Sequence, residues 1–428
     1  MTGISEYIPA PRPEATPAQL VRAVYGATFF VRFGFGVSVS IFAAYIARQL
    51  VPGDLDTVGV IGLVSAMAPI GEFSTVLFSG LSADRFGRFP VLLAGMTGAT
   101  LLLFVASSTR RPLELGAVNL LFGVSSGAIL AASLAVVGDQ VERDHRGLAM
   151  GRFDAMNLLG WILGFSVGFA GLGTLPNSAL PWLFRLAASV LAFGIGFTVL
   201  AVYRYREPHR HASFSLRQIR EAAFRRDVLL VTFPWLVIYM LIGTAFVFLG
   251  AASSGAGLPT PYLAAIIGGG GLVLLLTQPW FGRMADRFGR MRMMIIGTMG
   301  FVAVLILGSL IAQYGPKPSL LGGIGLATLF ALAYGPAALA ALADLSRTLT
   351  RGTTMAVYSL VISLGMIIGL VASTELFSHL GTGGLELFFG VVAFALVVLT
   401  GMRWNDLRTG RGQAVVEGTE NGLKTPAQ

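Results

Sequence analysis

The chain has 428 residues, of which 55% are apolar and only 12% charged, and its formal net charge is +9. A soluble domain carries about 25% charged residues, whereas the mean hydropathy here is +0.76, so the expected class is an all-α integral membrane protein. Cysteine is absent, which excludes disulfides and thiolate chemistry; the four histidines (His145, His209, His211, His379) form no metal-ligand pattern, and no metal or cofactor is expected.

Residues 1–23 are rich in proline (Pro9, Pro11, Pro13, Pro17) and lack the basic start and apolar core of a cleaved signal. They are read as a cytoplasmic N-terminal segment. A membrane span takes about 20 mainly apolar residues. On that measure six spans fall at 24–48, 59–83, 91–108, 113–138, 148–171 and 182–203. Six more fall at 229–251, 260–283, 291–313, 319–343, 353–377 and 384–403. The expectation is therefore 12 transmembrane helices in two six-helix bundles, 24–203 and 229–403, with both termini cytoplasmic. Between the bundles, 204–228 is basic; Ser215 with Gln218 makes a capping box, and Leu216, Ile219 and Ala223 form one apolar stripe. An amphipathic linker on the inner leaflet surface fits this pattern, with a regulatory lipid or partner site as the other reading. The tail, 404–428, is polar and reads as disordered.

Basic residues orient the chain. With both termini inside, 24 of the 30 Lys and Arg face the cytoplasm and five the outside (Arg48, Arg110, Arg111, Arg185, Lys317), while Arg32 lies within the membrane. This asymmetry accounts for the positive charge, so no nucleic-acid partner is expected. The cell membrane is the expected location.

The sequence repeats itself at half its length. Gly80-Leu-Ser-Ala-Asp84-Arg85-Phe86-Gly87-Arg88 returns 202 residues later as Gly282-Arg-Met-Ala-Asp286-Arg287-Phe288-Gly289-Arg290. Likewise Asp139, followed by Arg146-Gly147, returns 205 residues later as Asp344, followed by Arg351-Gly352. Two separate signatures at nearly one offset mark two homologous halves. Arg185 and Glu386 are a further pair, 201 residues apart, and read as interfacial anchors, as does Glu375.

In these residues the chain resembles the major facilitator superfamily of secondary transporters, whose best-known signature is a Gly-x-x-x-Asp-Arg-x-Gly-Arg loop between the second and third spans. The resemblance covers residues 20–403. It implies two bundles rocking about a midplane site with alternating access. It also implies that the repeated loops act as a conformational latch built from Gly80, Asp84, Arg85, Gly87, Arg88, Asp139, Arg146, Gly282, Asp286, Arg287, Gly289, Arg290, Asp344 and Arg351. Carboxylates beside arginines at a membrane boundary can form charge-assisted bonds between halves, and the arginines can bind anionic lipid headgroups. The drug–proton antiporter pattern is not followed throughout. Asn119 stands four residues before Gly123, where those members carry Arg, and Gly164 is followed by Phe165 rather than Pro.

A charge at bilayer depth costs at least about 2.5 kcal/mol and marks a functional candidate. Arg32 and Glu72 are expected at depths of about 12 and 17 Å from the inner face, close enough to pair. The pair either couples transport to protons through Glu72 or is a fixed structural ion pair. Asp154 sits shallower and is assigned to the latch, with proton carriage as the alternative. Thr28, Asn119, Ser126, Tyr239, Gln278 and Tyr334 are the candidate cavity-lining residues, and Pro69, Pro279 and Pro336 can kink their helices.

The expected function is secondary transport of a small organic, amphipathic solute, proton-coupled and directed outward, by a monomer in contact with membrane lipids. Proton-coupled uptake of an organic anion or other nutrient is the alternative within transport. A membrane sensor or scaffold that does not transport is the alternative of another class. An ATP-driven pump is excluded by the missing phosphate-binding loop, and no nucleophile–base cluster suggests an enzyme.

Overall fold

The structure is a computed structural model. It describes residues 15–50, 57–203, 205, 217, 220, 224–255, 260–314, 317–346, 350–371, 391–392, 394–396 and 398. The N-terminal segment up to residue 14, most of the linker at 204–228 with its capping box, Glu375, Glu386, most of the twelfth span and the tail lie outside the described residues.

The described residues are helical, with short turns between. The elements are α1 (Pro17–Tyr45), α2 (Thr57–Phe86), α3 (Arg88–Ala106), α4 (Pro112–Gln140), α5 (Arg146–Thr174) and α6 (Leu180–Val202). They continue as α7 (Arg226–Gly255), α8 (Thr260–Phe288), α9 (Arg290–Tyr314), α10 (Pro318–Ala331), α11 (Tyr334–Leu345) and α12 (Arg351–Val371). Among the described residues, nine helices are long and apolar enough to cross a membrane, with α10 and α11 forming one of these spans. A run of that length stays helical in lipid because the helix satisfies its own backbone hydrogen bonds. The chain is a multi-pass membrane protein.

Three expectations are corrected. The first helix begins at Pro17, ahead of the expected start at residue 24, because proline at the first helical position lacks only an N–H that has no partner there. The charged loops are hardly loops: α2 runs through Phe86 and α8 through Phe288, each ended by one glycine, Gly87 at φ 106° and Gly289 at φ 93°. That left-handed backbone strains any residue with a Cβ. The tenth span is interrupted at Leu332–Ala333, ahead of Pro336, because the proline ring at position 336 collides with the carbonyl four residues earlier.

Packing separates elements that adjoin in sequence. Helix α1 lies against α5 and α6, and α2 against α4, whereas α1 and α2 barely touch. Glycine sets the close approaches: a Cβ on Gly123 would fall 1.9 Å from the Ala68 carbonyl oxygen, and one on Gly164 would fall 2.4 Å from that of Phe33. The first repeat meets the second chiefly along α5 and α8, and α2 meets α12 at Gly80 and Gly352, whose carbonyls would each lie within 2.6 Å of a Cβ on the other.

Candidate functional site

The repeated signatures converge at one end of the bundle, where each half completes the other's network. Asp84, at the end of α2, accepts the backbone N–H groups of Gly352 and Thr353 at 2.8 Å and the Thr353 hydroxyl at 2.7 Å. It thereby caps the N-terminus of α12, where unsatisfied N–H groups and the helix dipole favour a carboxylate. Arg88 holds Asp84 at 2.7 Å and reaches Asp139 at 3.3 Å. Asp139 in turn binds Arg351 at 2.7 Å, and Arg351 also donates to the Gly138 carbonyl and to Ser346.

The second copy repeats this with the halves exchanged. Asp286 accepts the N–H groups of Gly147 and Leu148 at 2.8 Å, capping α5. Arg290 contacts Asp286 at 3.4 Å and Asp344 at 2.5 Å, the latter an ion-pair contact without an aligned Nε hydrogen bond. Asp344 binds Arg146 at 2.8 Å. Each Asp–Arg-Gly signature is thus divided: Arg351 serves Asp139, and Arg146 serves Asp344. The copies differ in enclosure. Asp84 and Arg88 are 0% and 2% exposed, against 12% and 17% for Asp286 and Arg290.

Two residues assigned to the latch, Arg287 and Asp154, make none of the ion pairs above. Arg85 and Arg287 are exposed, each over the ring of the next residue, Phe86 or Phe288, because their helix continues outward past the carboxylate. Asp154 is a correction: it is buried on α5 beside Gln278 and Gly335.

The second constellation lies between the repeats, among α1, α2, α4, α5, α7, α8, α11 and α12. Arg32 does not pair with Glu72, since α1 and α2 are not neighbours; among the described residues it makes no ion pair. Its guanidinium sits over Phe35 at 5.6 Å and Trp161 at 5.8 Å, while remaining near enough to Glu72 and Asp154 to feel both charges. Glu72 instead accepts the hydroxyl of Ser359 on α12, with the Ser126 and Ser363 hydroxyls also facing it. Tyr239 and Tyr358 approach through their hydroxyls at 3.5 Å, and Trp235 packs against both rings and that of Tyr334. Asp154 and Gln278 are buried around Gly335, with Asp154 Oδ2 and Gln278 Oε1 within 3.1 and 3.5 Å of where a Cβ would stand. Gln278 Oε1, Asn157 Oδ1 and Thr28 Oγ1 are buried without a hydrogen-bond partner.

Two candidate cavity residues are packing residues instead. Asn119 donates to the Val64 carbonyl at 2.8 Å and ties α4 to α2. Tyr334 is fully buried and donates to the Val231 carbonyl, because the break at Leu332–Ala333 turns it into the core. Conversely, Trp161, Trp235, Tyr358 and Ser359 are part of the constellation but were not singled out from sequence. Trp161 could have been found, lying seven residues beyond Asp154 on the same helical face. A separate apolar groove formed by Phe224, Leu229, Leu230, Phe233, Phe394, Ala395 and Val398 contains none of these polar groups.

The family model of the Major Facilitator Superfamily matches residues 24–273 and 249–425. The chain is 29% identical over 206 residues to an MFS-type transporter of Aspergillus fumigatus, covering 46% of this chain and 43% of that protein. It is 26% identical over 245 residues to the gallate transporter of Pseudomonas putida, covering 49% and 54%; the matched stretches thus span about half the length of these relatives. The crystal structure of the human organic anion transporter MFSD10 superposes over 91% of this chain and 100% of that one, with a TM-score of 0.74 at 18% identity, a likeness of fold. With a family model covering nearly all of its length, the chain belongs to the Major Facilitator Superfamily.

Proposed function

We propose that the protein is a secondary transporter that moves a small organic anion with an aromatic or apolar body by alternating access, coupled to protons through Glu72. The observation that carries this reading is Arg32: a cation between the repeats, flanked by Phe35 and Trp161, with no carboxylate bonded to it among the described residues. An arginine fork recognises a carboxylate, and aromatic faces beside it accept a planar body. Glu72 has access to both repeats, since its carboxylate on α2 accepts a hydroxyl from α12. A proton arriving there would weaken that tie and bias the equilibrium between two arrangements of the halves. The solutes named for two of the similar proteins, gallate and organic anions, suit the same chemistry.

The paired networks at the other end would act as the latch. They hold one face shut when formed and would part when the halves rock. Twelve spans, both termini in the cytoplasm and that face on the cytoplasmic side of the cell membrane complete the proposal, supported by the distribution of Lys and Arg.

Counterflow in proteoliposomes tests it, using labelled benzoate with and without a pH gradient. Arg32→Ala is expected to abolish solute exchange at every pH. Glu72→Gln is expected to retain exchange but lose accumulation driven by the gradient. Unchanged gradient-driven accumulation in Glu72→Gln would remove that residue from coupling. A second reading, outward transport of an uncharged amphipathic solute, is favoured by the Tyr239, Tyr358 and Trp235 lining; it predicts that Arg32→Ala retains exchange of that solute.

A further inference from the structure

The mechanism proposed above leaves Asp154 and its neighbours without a task. Asp154 is 7% exposed and makes no ion pair or hydrogen bond among the described residues, although a buried carboxylate is costly unless bonded. Gln278, 4% exposed, turns an unpartnered Oε1 to the same spot beside Gly335. Asn157, one turn along α5, has a buried Oδ1 without a partner as well. Asp154 and Gln278 thus meet beside Gly335, between α5, α8 and α11, with Asn157 one turn along α5. The lack of a side chain at Gly335 spares Asp154 a tight contact: a Cβ there would stand 3.1 Å from Asp154 Oδ2 and 3.5 Å from Gln278 Oε1. Either amide can turn to donate, whereas the carboxylate in its ionised form only accepts, and a donor brought by the solute supports that form.

On α5, Asp154, Asn157 and Trp161 follow one another at three- and four-residue steps and so share one face. Trp161 is the residue over which Arg32 lies. Seven residues of helix separate the two ends, about 10 Å at 1.5 Å per residue. Among the described residues, the face therefore runs from a cation without an ion pair to acceptors without a donor.

We propose that Asp154, Gln278 and Asn157 form a second subsite that takes a hydrogen-bond donor on the solute, so that the transported molecule is bipolar, with an anionic group at Arg32 and an O–H or N–H group at Asp154. This rests on the organic-anion reading and narrows it. Fixing both ends selects length and donor placement as well as charge, and a solute lacking the donor leaves the acceptors dehydrated and unbonded.

The test uses the full-length protein in detergent and follows tryptophan fluorescence on titration with benzoate, 4-hydroxybenzoate and 4-(aminomethyl)benzoate. The wild type is expected to bind at least one donor-bearing acid about tenfold more tightly than benzoate, the increment of one charge-assisted hydrogen bond. Which acid gains tells whether a hydroxyl or an ammonium is preferred. In Asp154→Asn, and separately in Gln278→Met, the ratio to benzoate is expected to fall towards one. Because the ratio is taken within each variant, a general loss of affinity does not imitate the result, and each variant is first required to elute and melt as the wild type does. Equal affinity for all three acids in the wild type, or an unchanged ratio in both variants, overturns the donor subsite and leaves the anion reading standing. Failure of all three acids to bind the wild type overturns both.

Discussion

Asp84 on α2 and Gly352 on α12 meet at 2.8 Å across the two repeats, and Asp286 on α8 meets Gly147 on α5 at the same distance. Each repeat supplies the carboxylate that caps a helix of the other. The caps are not equal, because Asp84 has a third donor in the Thr353 hydroxyl and is fully buried, whereas the corresponding position beside Gly147 is Leu148.

That inequality predicts an order of release. Asp84→Ala strips a buried, fully bonded group and is expected to destabilise the latched arrangement by about 3 kcal/mol. Asp286→Ala, in the more exposed copy, is expected to cost about 1 kcal/mol. The native chain has no cysteine, so spin labels at Phe86→Cys and Phe288→Cys, both exposed, report the separation by electron–electron double resonance. Equal populations of the wide distance in the two variants would refute the ordering.

Contact between backbones makes a second prediction. A Cβ on Gly80 would stand 2.5 Å from the Gly352 carbonyl oxygen and 2.7 Å from Ala356 Cβ. Gly80→Ala is therefore expected to force α2 from α12 and raise the unlatched population with every charge retained. The same spin labels measure it. A distance distribution identical to the wild type would show that the helices relax around the methyl group.

The aromatic seat of Arg32 can be tested apart from its charge. A cation–π contact contributes about 0.5–2 kcal/mol, so Trp161→Leu is expected to raise the apparent KM for the organic anion about fivefold. Initial-rate uptake into proteoliposomes measures this. Arg32→Lys keeps the charge but loses the planar fork, and a larger rise is expected for it than for Trp161→Leu.

Asn119 offers a contrast within the same bundle. Its bond to the Val64 carbonyl ties α4 to α2. Asn119→Leu is expected to lower stability by about 1 kcal/mol, seen as a lower thermal midpoint, with KM unchanged. An altered KM at unaltered stability would return Asn119 to the cavity.

Hydropathy and repetition were legible in the residues alone. Apolar runs long enough to satisfy their own hydrogen bonds in lipid can only be helices, and the recurrence of Asp84 and Asp286, or of Arg146 and Arg351, makes the repeat plain without any contact. Those signals are local. Partnership is not: from sequence Asp139 stands with Arg146, but in the fold it binds Arg351, because the repeats exchange caps. Arg32 and Glu72 occupy matching depths, a property of position along each helix, yet whether they pair depends on which helices adjoin. Glycine at 123 and 164 draws α2 to α4 and α1 to α5, so Glu72 turns to Ser359 and Arg32 to Trp161. Asp154 moved furthest for the same reason. Its neighbours in the chain include Arg152, but its neighbours in space are Gln278 and Gly335. Helix formation and internal repetition are written in composition and period; the meeting of side chains from different helices is decided only where those helices close on one another.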